Sequence, residues 1–384
     1  MMAGVSGVDS SAGSWSSSVP RDPAGVALSV VIVNYRSWGD VAALVDRLAG
    51  SPALAAGACE VLVVDNASGE AIPAALRVPP PGVRLLLQGT NAGFSAGVNA
   101  GWRASTGRWL LVLNPDILPD PGFLDAVLGR VAGFEGRPAG SAPGIVGLAL
   151  RNPDGSRQPS VGAFPGLART VWEQVIPRSR RKYQPEWRHR AGRVDWVTGA
   201  CFLVAAPLLA DVGGMDEDFF LYYEEVALCR VASRRGWAVE FDPGLAVAHL
   251  RPLQDRAIST KMRVITRHSK LLYFRKHLPG WRAEALAWAI RGEAMARAAW
   301  CRLRGRPGAR GWRAVGQMAR QLRAGGDLRG VAVLALAEAV DEANDADPPA
   351  GRPARPGSRR SRGARPGSPP LSERTEPACD SRTT

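Results

Sequence analysis

The stretch Trp109-Leu-Leu-Val-Leu-Asn-Pro-Asp116 constrains the fold of this 384-residue chain more than any other. Five apolar residues, Trp109 to Leu113, end in Asn114-Pro115-Asp116. A short apolar run bounded by turn residues reads as a strand covered on both faces. Proline lacks the N–H that a sheet ladder needs, so the strand stops there. Asp116 then stands at the carboxyl end of a central strand, the edge at which open α/β sheets bind ligands. The expectation is that Asp116 holds a divalent cation and the cation holds a diphosphate. A plain strand-ending turn is the alternative.

Further strands are expected at Leu28 to Asn34, Glu60 to Asp65, Val83 to Leu87 and Ile145 to Leu150. Val41, Leu44, Val45 and Leu48 predict a short amphipathic helix from Asp40 to about Gly50, and Phe123 to about Val131 predicts another. Residues 151–192 are polar and basic and read as a long excursion over the active face. Val194 to Val204 returns to the sheet, and Trp237 to Phe241 is a last strand with His249 just beyond it. This alternation predicts an α/β fold with a mostly parallel sheet and helices on both faces. No GxGxxG follows the first strand, which argues against a dinucleotide-binding dehydrogenase. From Trp281 to Glu342 the pattern turns helical, with Ala, Leu and Trp on one side and Arg on the other, broken at Arg304 to Gly308. The organisation expected is a disordered leader over 1–25, an α/β domain over 26–280, an amphipathic helical extension over 281–346 and a disordered basic tail over 347–384.

The net charge of +14 suits an anionic substrate, a membrane surface or nucleic acid, although the arginine-rich tail carries part of it. No recognised nucleic-acid-binding fold or aromatic-basic interleaving is present, so no nucleic-acid partner is expected. Cys59, Cys201, Cys229, Cys301 and Cys379 are far apart, without a C-x-x-C pair. That argues against zinc and a disulfide framework and fits a reducing cytosol. Neither a signal peptide nor a run of roughly 18 apolar residues appears. The chain is expected to be cytoplasmic, soluble or lying on a membrane.

Acidic residues fall at three strand ends: Asp65, Asp116 and the pair Glu224-Glu225. Transfer from a nucleotide sugar needs such a set. One carboxylate accepts hydrogen bonds from base or ribose, one sits on Mg2+ or Mn2+, and a general base takes a proton from the incoming hydroxyl. Glu224-Glu225 opens an amphipathic helix and equally suits its dipole. The glycines between Asn91 and Gly101 would let backbone approach a phosphate at a helix N-terminus, or simply make a tight loop. His249 could ligate the cation of Asp116 through a neutral imidazole nitrogen, or be an ordinary packed histidine.

Taken in order, these pieces resemble the family 2 inverting glycosyltransferases, and within them the bacterial rhamnosyltransferase-like group. The resemblance is carried by Val-Ile-Val-Asn34-Tyr35, Val-Val-Asp65-Asn66-Ala-Ser68, Asn91-Ala-Gly93-Phe94-Ser-Ala-Gly97-Val-Asn99, Leu-Asn114-Pro-Asp116, Thr198-Gly199-Ala200, Gly213-Gly214-Met-Asp216 and Glu224-Glu225-Val-Ala-Leu-Cys-Arg230. It spans about residues 28 to 278. It implies a nucleotide-diphospho-sugar transferase (GT-A) fold, with 26–280 as the glycosyltransferase domain. It implies a nucleotide pocket lined by Asn34, Tyr35, Asp65, Asn66, Ser68, Asn91, Gly93, Phe94, Gly97, Asn99 and Asn114. Asp116 and His249 are the implied Mg2+ or Mn2+ ligands. Thr198, Gly199, Ala200 and Asp216 are expected on the sugar and acceptor side, with Glu225 as base beside Glu224.

Three positions depart from the family pattern. The metal motif's first aspartate is Asn114, Ala227 stands where a second acceptor-side aspartate is usual, and Arg251 and Pro252 follow His249 where Gly and Ser are usual. The expected donor is dTDP-rhamnose. The expected acceptor is a glycan or a polyprenyl-diphosphate-linked saccharide of the cell surface. A UDP-sugar donor, carrying galactofuranose or N-acetylglucosamine, and a degenerate non-catalytic subunit are the alternatives. The helical extension is expected either to lie on anionic lipid, giving peripheral association with the inner face of the plasma membrane, or to cap the transferase domain.

Overall fold

The computed structural model describes residues 25–138, 140–172, 190–251, 259–305, 308–326 and 329–345. The expected leader, the tail and much of the 151–192 excursion lie outside the described residues.

The first half of the chain alternates strand and helix: β1 (Leu28–Asn34), α1 (Trp38–Ala49), α2 (Pro52–Ala55), β2 (Cys59–Asp65), α3 (Ala74–Arg77), β3 (Val83–Leu87), α4 (Phe94–Ala104) and β4 (Trp109–Leu113). Then come β5 (Ile117–Leu118), α5 (Phe123–Glu135), β6 (Pro143–Arg151), β7 (Arg157–Gln158), β8 (Val161–Gly162) and α6 (Leu167–Trp172). The chain continues through β9 (Gly192–Arg193), β10 (Trp196–Val197), β11 (Cys201–Ala205), α7 (Ala206–Val212), α8 (Glu224–Arg234) and β12 (Ala238–His249). Four helices follow: α9 (Thr260–His277), α10 (Gly280–Leu303), α11 (Ala309–Arg323) and α12 (Val331–Asp345).

Among the described residues ten strands form one sheet, ordered β3-β2-β1-β4-β11-β6-β12-β5 along its main path. β1 pairs parallel with both β2 and β4, so Asn34 lies level with Asp65. β11 enters antiparallel between β4 and β6, while β6 and β12 are parallel. Those directions bring the carboxyl ends of β1, β2, β4, β6 and β12 to one edge, together with the amino end of β11. Strands β1, β4 and β11 are buried throughout, which is why they read as nearly continuous apolar runs.

Helix α4 lies unusually close to this sheet. A Cβ added at Gly97 would lie 2.6 Å from Val33 Cγ1, and one at Gly101 2.5 Å from Val31 Cγ1. Both glycines permit this helix–strand packing, and a Cβ at Gly97 would also lie 3.2 Å from the Asn66 side chain. The sequence also gave no sign of α9. Its buried residues surround most of its circumference because α8, α10, α11 and α12 all pack on it. A helix so covered shows no apolar stripe.

Candidate active site

A hydrogen-bonded carboxylate cluster is built at the ends of β1 and β2. Asn34 donates through Nδ2 to Asp65 Oδ1 at 2.7 Å and to Ser68 Oγ at 3.2 Å. The Ser68 hydroxyl also donates to Asp65 Oδ1, and its N–H to Asp65 Oδ2 at 3.1 Å. Arg36 N–H donates to Ser68 Oγ at 2.8 Å, fixing the turn that carries Tyr35, and the Arg36 guanidinium lies 5.2 Å over the Tyr35 ring. Asp65 is thus held in one orientation by neutral donors.

The loop before α4 is anchored from two sides. Asn66 donates to Gly93 O at 2.8 Å, and Gly93 N–H donates to Asn91 Oδ1 at 3.2 Å. Gly93 has φ of 99°, and a Cβ there would meet Phe220 O at 2.5 Å. Only glycine allows that approach without strain. The N–H of Phe94 then donates to Phe220 O at 2.9 Å, tying this loop to the segment that leads to Glu224.

Glu224 and Glu225 are buried at the start of α8. Tyr222 and Tyr223 before them adopt φ of 69° and 70°. Two successive bulky residues in the left-handed region are a costly backbone state that the surrounding packing must enforce. The turn they make delivers Glu225 against Gly199: a Cβ at Gly199 would lie 3.5 Å from Glu225 Cβ and 3.9 Å from Phe94 Cε1. Gly199 sits in the Thr198-Gly199-Ala200 turn, where Thr198 N–H donates to Ser160 O at 2.8 Å and Ala200 O accepts from Asn114 N–H at 2.9 Å. Phe94, Asn114, the Thr198–Ala200 turn and Glu225 therefore converge.

Asp116 and His249 meet at the same edge. β12 pairs antiparallel with β5, matching His249 to Ile117. His249 Nε2 lies 3.4 Å from Asp116 Oδ1, and both side chains are buried. Nδ1 of His249 faces Gln158 Oε1 at 3.0 Å. A carboxamide oxygen only accepts, so Nδ1 carries the hydrogen there. In the neutral ring, Nε2 then turns its lone pair toward a carboxylate oxygen. Two acceptors facing each other at that distance suit a cation held between them, so the donor set fits Mg2+ or Mn2+. Among the described residues no group of three or more His, Cys, Asp or Glu side chains gathers as a metal site. Further ligands would have to come from diphosphate oxygens and water. Arg251 Nε lies 3.8 Å from Asp116 Oδ2, and its guanidinium also pairs with Asp40.

Two expected site residues serve the fold instead. Asn99 donates to Met215 O at 2.8 Å and to Glu217 Oε1 at 2.7 Å, and accepts from Met215 N–H at 2.8 Å. Its amide is a buried tie between α4 and the 213–217 loop. Asp216 is bound by Lys276 Nζ at 2.7 and 2.9 Å, and Lys276 also pairs with Asp218. It anchors α9 rather than reading a sugar. Conversely, Gln158 was not foreseen at all. It reaches His249 from 91 residues away, and no spacing rule could connect them.

The glycosyl transferase family 2 model matches residues 29–135. The N-acetylglucosaminyl-diphospho-decaprenol L-rhamnosyltransferase of Mycobacterium tuberculosis is 30% identical over 250 residues, covering 60% of this chain and 80% of that protein. The low-salt glycan biosynthesis hexosyltransferase Agl10 of Haloferax volcanii is 25% identical over 253 residues, covering 62% of this chain and 71% of its own length. A mannosyltransferase of Pyrobaculum calidifontis, solved with GDP-Man and Mn2+, aligns with 85% of this chain and 89% of its own at 17% identity and a TM-score of 0.45. The chain belongs to the family 2 glycosyltransferases, in a rhamnosyltransferase-like group.

Proposed function

We propose that the protein transfers rhamnose from dTDP-rhamnose, with inversion, to a hydroxyl of a polyprenyl-diphosphate-linked saccharide at the cytoplasmic face of the plasma membrane. The observation that supports this most is the meeting of Phe94, Asn114, the Thr198–Ala200 turn and Glu225 beside the Asp116–His249 pair. The choice of sugar and acceptor draws on the likeness to the mycobacterial rhamnosyltransferase.

In this reading Asp65, oriented by Asn34 and Ser68, accepts hydrogen bonds from the nucleoside. Glu225 takes the proton of the acceptor hydroxyl while that oxygen attacks the anomeric carbon. The new C–O bond forms on the face opposite the diphosphate, whose own bond to the anomeric carbon breaks. Asp116 and His249 would hold Mg2+ or Mn2+, which when bound offsets charge on the departing diphosphate. Gln158 keeps the His249 ring in the orientation that aims Nε2 at the ion. A metal-independent variant is the second reading. Its support is Arg251, whose guanidinium already approaches Asp116 and could meet the diphosphate as an organic cation.

The test is release of nucleoside diphosphate by the purified full-length chain, with lipid-linked N-acetylglucosamine as acceptor. Turnover of dTDP-rhamnose that stops on chelation is the expected result. Turnover of UDP-galactofuranose or UDP-N-acetylglucosamine instead would replace the donor. Turnover that survives chelation would transfer the metal's role to Arg251, and no turnover with any donor would make the chain a non-catalytic subunit.

A further inference from the structure

Helix α10 turns Trp281, Trp288, Met295 and Leu303 outward, with 64%, 51%, 62% and 86% of their surface exposed. At 3.6 residues per turn these positions fall on one side of the helix, where the small residues Ala285, Gly292 and Ala299 are also exposed. This strip runs most of the 24-residue helix, a length of about 36 Å, with Glu284 and Arg302 at its margin and Glu284 neutralised by Arg323. A continuous apolar surface of that kind marks an interaction site, unlike singly scattered apolar residues.

Arginines border the strip. Arg282 stacks 5.2 Å from the Trp281 ring centroid, and Arg291 and Arg323 stack 5.4 and 4.3 Å from that of Trp288. On the neighbouring α11, Arg310, Arg313, Arg320 and Arg323 line the exposed side. A groove of about 220 Å3 runs between the two helices, with Ala294, Met295 and Trp312 among its apolar lining and Arg291, Arg313 and Arg320 as its cations. Residues 280–323 contain ten arginines and two glutamates. Both glutamates are paired, Glu284 with Arg323 and Glu293 with Arg267 and Arg297.

We propose that this α10–α11 face docks on an anionic phospholipid bilayer. The tryptophans and Met295 enter the interface, and the arginines, those of the groove included, take lipid phosphates. Charge selects this occupant. A second copy on a twofold axis would oppose one arginine row to another, which is unfavourable. Among the described residues no helix is long and apolar enough to cross a membrane, so α10 lies along the surface. The inference deepens the function proposed above and rests on it for purpose, since a lipid-linked acceptor is met at such a surface; its test needs no sugar.

The full-length protein is floated with phosphatidylcholine vesicles, with and without phosphatidylglycerol. Binding to the anionic vesicles that weakens with salt is expected. The pair Trp281→Ser with Trp288→Ser, and separately Arg313→Glu with Arg320→Glu, should each lower binding at least ~10-fold. Circular dichroism and vesicle-free donor hydrolysis should not change in either. Quenching of tryptophan fluorescence by brominated lipid should fall in the tryptophan variant. Unchanged flotation of either variant, or equal binding to neutral vesicles, would overturn the proposal. A dimer that the tryptophan variant dissolves, without vesicle binding, would give the face to a second copy. Absent donor hydrolysis with intact flotation would count against the sugar-transfer reading and leave this one standing.

Discussion

β2 carries one carboxylate at each end, and the two are held differently. At the amino end Glu60 accepts from Ser29 Oγ at 2.7 Å, from Thr106 N–H at 2.6 Å and from Thr106 Oγ1 at 2.9 Å, and it pairs with Arg84 at 2.9 Å. Burial pushes its pKa up, but the donors from Thr106, Ser29 and Arg84 outweigh that and hold it below the usual glutamate value. At the carboxyl end Asp65 meets the amide of Asn34 and the hydroxyl and N–H of Ser68. Glu60 is locked by an ion pair with Arg84, whereas Asp65 is held by neutral donors alone. Acids at the two ends of one strand can serve stability or chemistry, and the partners decide which. Substitution at the cleft edge should remove activity and leave folding, and substitution at the locked edge should do the reverse.

The largest effect is expected at Glu225. Glu225→Gln keeps shape and hydrogen-bonding capacity but cannot take a proton. Transfer should fall roughly 10²–10⁴-fold, while donor affinity by calorimetry stays. Full turnover by this variant would remove Glu225 from the base role and erase the contrast between the edges. A smaller effect belongs to Gln158. Gln158→Ala frees the His249 ring, so the Mn2+ concentration for half-maximal turnover should rise about 10–100-fold. Gln158→Glu, which restores an acceptor for Nδ1, should recover part of it. If neither variant shifts the metal requirement, Nε2 is not a ligand and the Arg251 reading gains.

The parts of this molecule that could be read from sequence are those whose signal is local. β1 falls where the apolar run Leu28 to Asn34 predicts it, and β4 where Trp109 to Leu113 does. Asp116 reaches a cleft because a proline ends its strand. Direction was not legible: Cys201 to Ala205 is as buried as a parallel strand, yet it runs antiparallel between β4 and β6. His249, expected just past a short strand, is the last residue of β12, because a register shift between Asp242 and Ala246 carries the pairing onward. Two of the expected site residues have structural partners that no local signal shows. Asn99 finds Met215 116 positions away and Asp216 finds Lys276 60 positions away. A loop asparagine or aspartate looks the same in sequence whether it faces a ligand or its own chain.

The smallest effect, and the one that tests the locked edge directly, lies at Glu60. Glu60→Gln keeps the side chain's shape but replaces the charge-assisted bonds to Thr106 and Arg84 with neutral or mismatched ones. Unfolding free energy in urea should drop by about 1–3 kcal/mol, with donor turnover at low temperature unchanged. The pH dependence gives the sign. Because the folded pKa lies below that of an ordinary glutamate, the unfolded chain binds the proton first as pH falls. Glu60's contribution is therefore complete above about pH 4.5 and is lost as pH drops through the lower folded value. The wild type should lose stability across that acid limb more steeply than Glu60→Gln, and the two urea midpoints should converge at its bottom. Parallel curves would mean that Glu60 is held no differently in the fold than in the unfolded chain. The division between a locked edge and a ligand edge would then have to rest on Arg84 and Thr106 packing alone.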